Sequence, residues 1–519
     1  MSASVIPEVA VLEETASTYE MTTSASDSSD IESVRSEQDT LLAGDDETHA
    51  DSEESCKESI YRSTLIKVYV AVFVANAAFH ILAPAQTAIM EQAICLRWYD
   101  EHNPNQIPDS RVIPESQCKT RPIQSELASL RGWYETFDAA PALLTCIPLG
   151  ILMDIVGRRP LLLAGLCTIT AQQFWIALVC LSTDKVPIQL IWLAPVLNFI
   201  SGGMKVMQMV FICLITDITS RGRLAPALFR LAAIAQLTRV LGPVVAGGLM
   251  QMNAWWAIIA GLAGLLAMVG IAWTVPETMD LSAMEQVEAM GTSPATTWQR
   301  AWPRIKSGFR ELKIVWTDTR LIGLVCLYPF LMVGVTSSEV LQQYISNRYN
   351  WTLANAAFIF SLQGVAATVS LFALLPLFSD FIESHFTLGP ISLNVIMGRI
   401  STFLAAMSYV VVGLAPNVGV LIVGLFLETL GLGGGSALKA LAASLVEQKD
   451  TGRVFSVVAI FEVLSVMMAY PTTAALFNVG LDKGGGMWLG LPYFLAAVTM
   501  AVAGFILLLL RFERAPKLS

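Results

Sequence analysis

Ionisable side chains set inside long apolar runs are the residues of this chain with chemistry to do. Arg131, Glu135 and Asp138 follow at i, i+4 and i+7 in one such run, which is a single face of a helix. Lys205 follows Gly202 and Gly203 in a second run, and Arg239 interrupts a third. Glu428 and Lys439 lie eleven residues apart on one helical face of a fourth, and Glu462 stands in a fifth. A charge at the centre of a membrane-crossing helix costs on the order of 2.5–3.5 kcal/mol on insertion scales, so each is kept as half of an ion pair or for a function. Arg131 and Glu135 are expected to pair with each other, which leaves Asp138 deeper and without a local partner. A carboxyl whose charged form is disfavoured by burial suits the binding and release of a proton. One coupling carboxylate is expected among Asp138, Glu428 and Glu462. His80 is a further titratable group, with a hydrogen-bonded structural role as the plain alternative, and Glu339 is expected to be wet at the end of its run.

A different arrangement occurs in "PLGILMDIVGRRPLLLAG", residues 148–165, where Gly150, Asp154, Gly157, Arg158 and Arg159 crowd a short break between two apolar runs. Glycines permit a tight turn and close approach, and an acid can face a helix N-terminus favourably. Two arginines anchor such a loop on the cytosolic surface or bridge to carboxylates elsewhere. Positive-inside topology alone accounts for the arginines and leaves the Gly/Asp spacing unexplained.

The elements that must position these groups follow from composition. The 519 residues are 54% hydrophobic and 14% charged, with mean hydropathy +0.59. The apolar residues come in blocks of about 20 or more, enough to cross a bilayer as helices. Twelve spans are expected, near 66–90, 126–153, 160–181, 188–216, 225–249, 254–275, 321–342, 352–378, 392–413, 418–445, 454–478 and 487–511. The net charge of −10 is local: residues 1–60 hold sixteen Asp/Glu against Arg35 and Lys57. That segment reads as a disordered acidic tail, without the basic start and apolar stretch of a signal peptide. Fifteen Lys/Arg in loops on the tail's side, against seven opposite, place both termini in the cytosol. Cys95 and Cys118 then share the one long outer loop, where a disulfide is permitted. Asn350-Trp351-Thr352 is an outer glycosylation sequon close to the eighth span, and Glu37, Leu41 and Leu42 match an acidic dileucine sorting pattern.

The chain thus divides into a tail (1–60), a six-helix bundle (61–275), a cytosolic linker (276–320), a second six-helix bundle (321–511) and a short C-terminal tail (512–519). In the linker, Trp298, Trp302, Ile305, Phe309, Leu312 and Trp316 recur at helical spacing among basic residues, the pattern of an amphipathic helix on the inner membrane surface or of a linker helix packed under the bundle. The halves echo each other: Gly203 precedes Gly222-Arg223 much as Gly433 precedes Gly452-Arg453. Such parallel repeats build many secondary transporters, with substrate at the midplane.

Gly150, Asp154, Gly157, Arg158 and Arg159 resemble the loop 2–3 signature of the major facilitator superfamily. "VPET", Val275 to Thr278, resembles a signature at the end of its sixth span, and Asp217, Arg223 and Phe229 resemble one that follows the fourth. "FDAAPALLTCIPLG", residues 137–150, looks like the branch related to the proton-coupled folate transporter, whose fungal members are often multidrug or metabolite exporters. "RVLGPVVAGG", residues 239–248, resembles the antiporter signature of the fifth span but has Ala246 at a glycine position. Asn198 stands where the fourth span usually carries an arginine, and only a degenerate copy of the first motif surrounds Asp380.

The resemblance implies an all-α integral membrane protein of twelve helices in two six-helix pseudo-repeats. It implies that helices one, four, seven and ten line a cavity, which favours Lys205, Glu428 and Lys439 as cavity residues. It also implies that the first motif is a latch, with Asp154 facing the start of span eleven near Arg453, closed when the transporter is open outward. The expected function is proton-coupled export of a small organic compound, a drug or secondary metabolite, by a monomer in the plasma membrane, or in the vacuolar membrane. The alternatives are a proton-coupled importer of a nutrient or organic anion, met by Lys205, Lys439 and Arg239, and a non-transporting receptor. No nucleophile triad, nucleotide-binding loop or His/Cys metal cluster appears in the sequence, which argues against an enzyme, a cofactor, a nucleic-acid partner and ATP-driven transport.

Overall fold

The computed structural model describes residues 39–109, 111–183, 185–219, 223–278, 319–385, 390–446 and 451–510, without the side chains of residues 39–61, Asp154, Ser379, Glu383, Pro390 and 451–453. The amphipathic linker segment 298–316, the C-terminal tail 512–519 and residues 1–38 lie outside this description.

Among the described residues, twelve helices are long and apolar enough to cross a membrane: α1 (Arg62–His102), α2 (Arg121–Met153), α3 (Arg158–Leu181), α4 (Ile188–Ile218), α5 (Leu224–Met252), α6 (Ala254–Trp273), α7 (Thr319–Tyr349), α8 (Leu353–Ile382), α9 (Ile391–Leu414), α10 (Val418–Ser444), α11 (Val454–Asp482) and α12 (Gly486–Leu509). No strand occurs among the described residues. Large apolar side chains such as Leu178, Ile259, Phe403 and Phe505 face outward, each more than two-fifths exposed. In water that surface would be a liability, whereas lipid tails are as apolar as they are.

The core falls into two parts. Val72, Leu82, Leu166, Val210 and Leu265 belong to one apolar cluster drawn from α1–α6 with Leu353 and Ala354 of α8, and Leu324, Tyr344, Val412, Leu421 and Phe477 to another drawn from α7–α12 with Ala128 of α2. α1 continues backward as helix to Asp39, within the segment whose composition led us to expect an unfolded tail. Extending a helix already nucleated by a membrane span is cheap compared with starting one.

α4 departs from the single span read from its hydropathy. Residues Ile188–Phe199 wind as 3₁₀ turns, the chain breaks, and an α-helix runs from Gly203 to Ile218. Pro195 denies the first part a backbone donor, and Gly202, at φ +76°, takes a left-handed turn that a side chain resists. Trp192 Nε1 donates to the Leu130 carbonyl of α2 at 3.1 Å, and Trp175 Nε1 of α3 donates to the Leu190 carbonyl at 2.9 Å. These bonds fasten the irregular part of α4 against α2 and α3.

The halves meet at one end of the bundle, the end of Cys95 and Cys118. These two cysteines are joined by a disulfide. Asn478 of α11 donates to Ser129 Oγ of α2 at 2.9 Å, and Arg121 pairs with Asp482. Gln342 of α7 donates to the Pro84 carbonyl of α1 at 3.3 Å, and Ser361 of α8 to the Val240 carbonyl of α5 at 2.6 Å. Glu115, in the disulfide-closed loop, accepts from the backbone N–H of Leu353 at the start of α8, 2.7 Å away. Toward the opposite end, Lys205 is solvent-exposed although it lies well inside α4. These contacts between the halves thus lie toward the Cys95 end, and the exposed Lys205 lies toward the other.

Candidate functional site

Asp138 stands near the middle of α2 and lines a narrow pocket with about 30 Å³ of free space between α1, α2, α3, α4 and α7. Its Oδ1 accepts from Gln172 Nε2 at 2.6 Å and from Asn198 Nδ2 at 3.1 Å. Gln172 also donates to the Tyr134 hydroxyl at 2.8 Å, while its own Oε1 accepts from Asn198 at 2.8 Å. The kink in α4 is what brings Asn198 to this point. Glu135 lines the same pocket.

Arg131 does not pair with Glu135 as expected. Its Nη2 reaches Glu339 of α7 at 3.0 Å, with both side chains 15% exposed, and its Nη1 donates to the Glu339 carbonyl at 2.9 Å. Glu339 lies on a 3₁₀ turn, Ser338–Val340. Such a turn changes which carbonyls the helix itself uses, and this one accepts from across the interface. Glu339 is thus a partly buried member of the contact between the halves and not the wet residue its place near a span end suggested.

Glu428 of α10 lies in the second half, accepting from Gln363 Nε2 of α8 at 3.1 Å and from the Tyr409 hydroxyl of α9 at 3.3 Å. Arg239 of α5 is within electrostatic reach of it from the other half. Lys439 of α10 pairs with Glu462 of α11 at 3.1 Å, and Lys205 of α4 is close enough to feel both charges. The seven charged candidates therefore form three groups: Asp138 with Glu135, Arg239 with Glu428, and Lys205 with Lys439 and Glu462. His80 of α1 sits where α1 and α5 nearly touch, its Cβ 2.3 Å from where a side chain on Gly242 would begin.

The following contacts of the arginine-rich motif, all among the described residues, lie within its own half. α3 starts at Arg158, directly after Gly157 at φ +105°. The Glu277 carboxylate accepts from the N–H of Arg158 at 2.8 Å and of Arg159 at 3.0 Å, capping the positive end of α3. A Cβ at Gly157 would stand 2.6 Å from Glu277 Oε2, so only glycine admits this cap. Arg158 pairs with Asp217 at the end of α4 at 3.0 Å, and Arg159 donates to the Trp273 carbonyl of α6 at 2.9 Å. Gly150 faces Met209 of α4. The Asp154 side chain lies outside the described residues, as does its expected neighbour, the side chain of Arg453. Asn350 caps the end of α7 in a left-handed conformation, and Thr352 of its sequon accepts from the Asn355 N–H at 3.2 Å.

Sequence reasoning missed Gln172, Gln363 and Tyr409 as partners of the carboxylates. The signal was there in outline, since carboxamides are costly inside apolar helices unless hydrogen-bonded.

Residues 68–438 match the sequence pattern of the Major Facilitator Superfamily. The chain belongs to the major facilitator superfamily. Like other members of the superfamily it is a multi-pass membrane protein that carries small molecules; it is a transporter and not an enzyme. Over 433 residues it is 30% identical to the MFS efflux pump atnC of Emericella nidulans, covering 81% of this chain and 82% of the relative. It is 22% identical over 471 residues to the efflux pump ustT of Aspergillus flavus, covering 86% and 90% of the two chains. In fold it is similar to the D-xylose–proton symporter, with a TM-score of 0.58 at 13% identity over 88% of this chain and 98% of the other. The nucleoside transporter NupG is alike to the same degree, TM-score 0.58 at 10% identity over 86% and 98% of the chains.

Proposed function

We propose that this superfamily member exports a small organic compound from the cytosol in exchange for protons, rocking its two halves about the central space. The observation that carries the reading is Asp138: a carboxyl deep in a membrane helix, hydrogen-bonded by the neutral side chains of Gln172 and Asn198, with no ion pair among the described residues. A carboxylate in that position is retained at a cost that proton binding relieves at one stage of a cycle. The efflux-pump names of the relatives from Emericella nidulans and Aspergillus flavus support the outward direction.

The excess of Lys/Arg in loops on the tail's side supports both termini in the cytosol. The arrangement described above is then the inward-facing state, sealed toward the outside by Arg131 and Glu339. Here the Gly157–Arg159 latch is held by Glu277 and Asp217 of its own half, and it engages the other half when the molecule opens outward. The protein works as a monomer in the plasma membrane, with the vacuolar membrane as the other site that its acidic dileucine pattern supports.

Flux in proteoliposomes under an imposed pH gradient tests the mechanism, and a deletion strain tests direction. Deletion is expected to raise cellular accumulation of the compound, and collapse of the proton gradient to stop its export. Uptake into intact cells that rises as external pH falls would overturn export in favour of import.

A further inference from the structure

We propose that the Asp138 pocket recognises the basic nitrogen of its cargo, so that the compounds carried are protonated organic amines. The inference rests on the transport reading above and names its substrate class. The charged residues lining the pocket are Arg131, Glu135, Asp138 and Glu339. Arg131 is committed to Glu339, both by its ion pair and by its bond to the backbone carbonyl. Glu135 lies within electrostatic reach of Arg131 as well, which leaves Asp138 as the lining carboxylate with no ion-pair partner among the described residues.

A second observation points to the same chemistry. Asn198 is 1% exposed, and its orientation is set by two donations, to Asp138 and to Gln172. Its Oδ1 is then left buried at the pocket wall without a hydrogen-bond partner. Buried acceptors are ordinarily satisfied, and only an N–H or O–H donor satisfies one. An ammonium group offers three donors and a positive charge: one bond to the Asp138 carboxylate and one to Asn198 Oδ1 use the groups present. A carboxylate or phosphate on the cargo would meet the Asp138 carboxylate and an acceptor oxygen. Phe79, Leu82, Ile169 and Met204 on the pocket walls suit the apolar body that carries the amine.

The test is equilibrium dialysis of the purified full-length protein in lipid nanodiscs. The probes share one ring system: naphthylethylammonium, its neutral N-acetyl form and naphthylpropanoate. The wild-type protein is expected to bind the ammonium at least about tenfold tighter than either of the others, as a charge-assisted hydrogen bond warrants. Asp138→Asn, which keeps the shape of the side chain, is expected to abolish that preference. Asn198→Asp adds a second acceptor and a negative charge, and is expected to hold the ammonium at least as tightly while weakening naphthylpropanoate. This variant speaks even where Asp138→Asn does not yield folded protein. Equal binding of the three probes, tightest binding of naphthylpropanoate, or an unchanged preference in folded Asp138→Asn would overturn the proposal. Binding is read without flux, so the two readings fail separately. A protein that pumps down a pH gradient yet prefers naphthylpropanoate loses only the ligand class. One that binds the ammonium but moves nothing loses only the transport reading.

Discussion

Each buried charge of this protein is worth what its partner makes of it. Asp138 is hydrogen-bonded by neutral donors, the surroundings the proposed coupling role requires; Arg131 has Glu339 at 3.0 Å, so its charge is structural. Asp138→Asn is accordingly expected to reduce pH-driven flux in proteoliposomes to background. Flux that still follows the pH gradient in that variant would move the coupling role to Glu428 or Glu462. Arg131→Gln strands the Glu339 carboxylate, and removing one partner of a buried pair costs about 3–5 kcal/mol. That cost falls on the sealed state, so a cysteine placed at Gln343 should become more reactive to an impermeant reagent added outside. The exchanged pair Arg131→Glu with Glu339→Arg should restore protection; if it does not, the pair is not what holds the seal.

The helices matter here through their ends and breaks. α3 begins where Gly157 turns, and its first N–H groups are satisfied by a carboxylate from 119 residues downstream, Glu277. A carboxylate at a helix N-terminus contributes about 0.3–1 kcal/mol when exposed and up to about 2 kcal/mol when partly buried. Glu277→Gln keeps one acceptor and loses the charge, so thermal unfolding in detergent should shift down by a few degrees. Glu277→Ala should shift it further. The break in α4 works differently, since it points Asn198 at Asp138 and Gln172 instead of stabilising a terminus. Ala at Gly202 would demand a left-handed backbone of a residue with a side chain, with Val206 Cγ2 2.1 Å from the new Cβ. The expected result is loss of flux out of proportion to any loss of folded protein.

At the level of the whole molecule, the proposed rocking requires the Cys95 end to part. Ser129 and Asn478 touch across that interface at 2.9 Å, so cysteines at both positions should cross-link α2 to α11 under mild oxidation. Flux should then stop, while labelling of Lys205→Cys from the cytosolic side should persist if the proposed inward-facing reading holds. Transport that continues in fully cross-linked protein would rule out rocking about this closure. Most of the buried apolar surface lies within one half or the other, with only Leu353, Ala354 and Ala128 crossing over among the described residues, so such motion leaves most of it covered.

The number of helices, the class of the protein and the short motif before α3 were legible in the chain because lipid imposes a local rule. About twenty apolar residues must satisfy their own backbone wherever they cross, and Gly157 and Arg158 act on the turn in which they sit. Family membership was equally local in its signature, although the comparison with relatives established it. Partnership was not local. Arg131 faces Glu135 at i+4 on its own helix, yet bonds to Glu339, 208 positions away, because α7 approaches α2 at the Cys95 end. The 3₁₀ turns of α4 were hidden under hydropathy that continues unbroken through residues 188–218, and so was the meeting of Asn198 with Asp138. Sequence alone decided which segments enter the membrane and which residues bring charge there. The tertiary structure decided which of those charges are neutralised, since Coulomb attraction and hydrogen bonding act through distances that only the packing of helices sets.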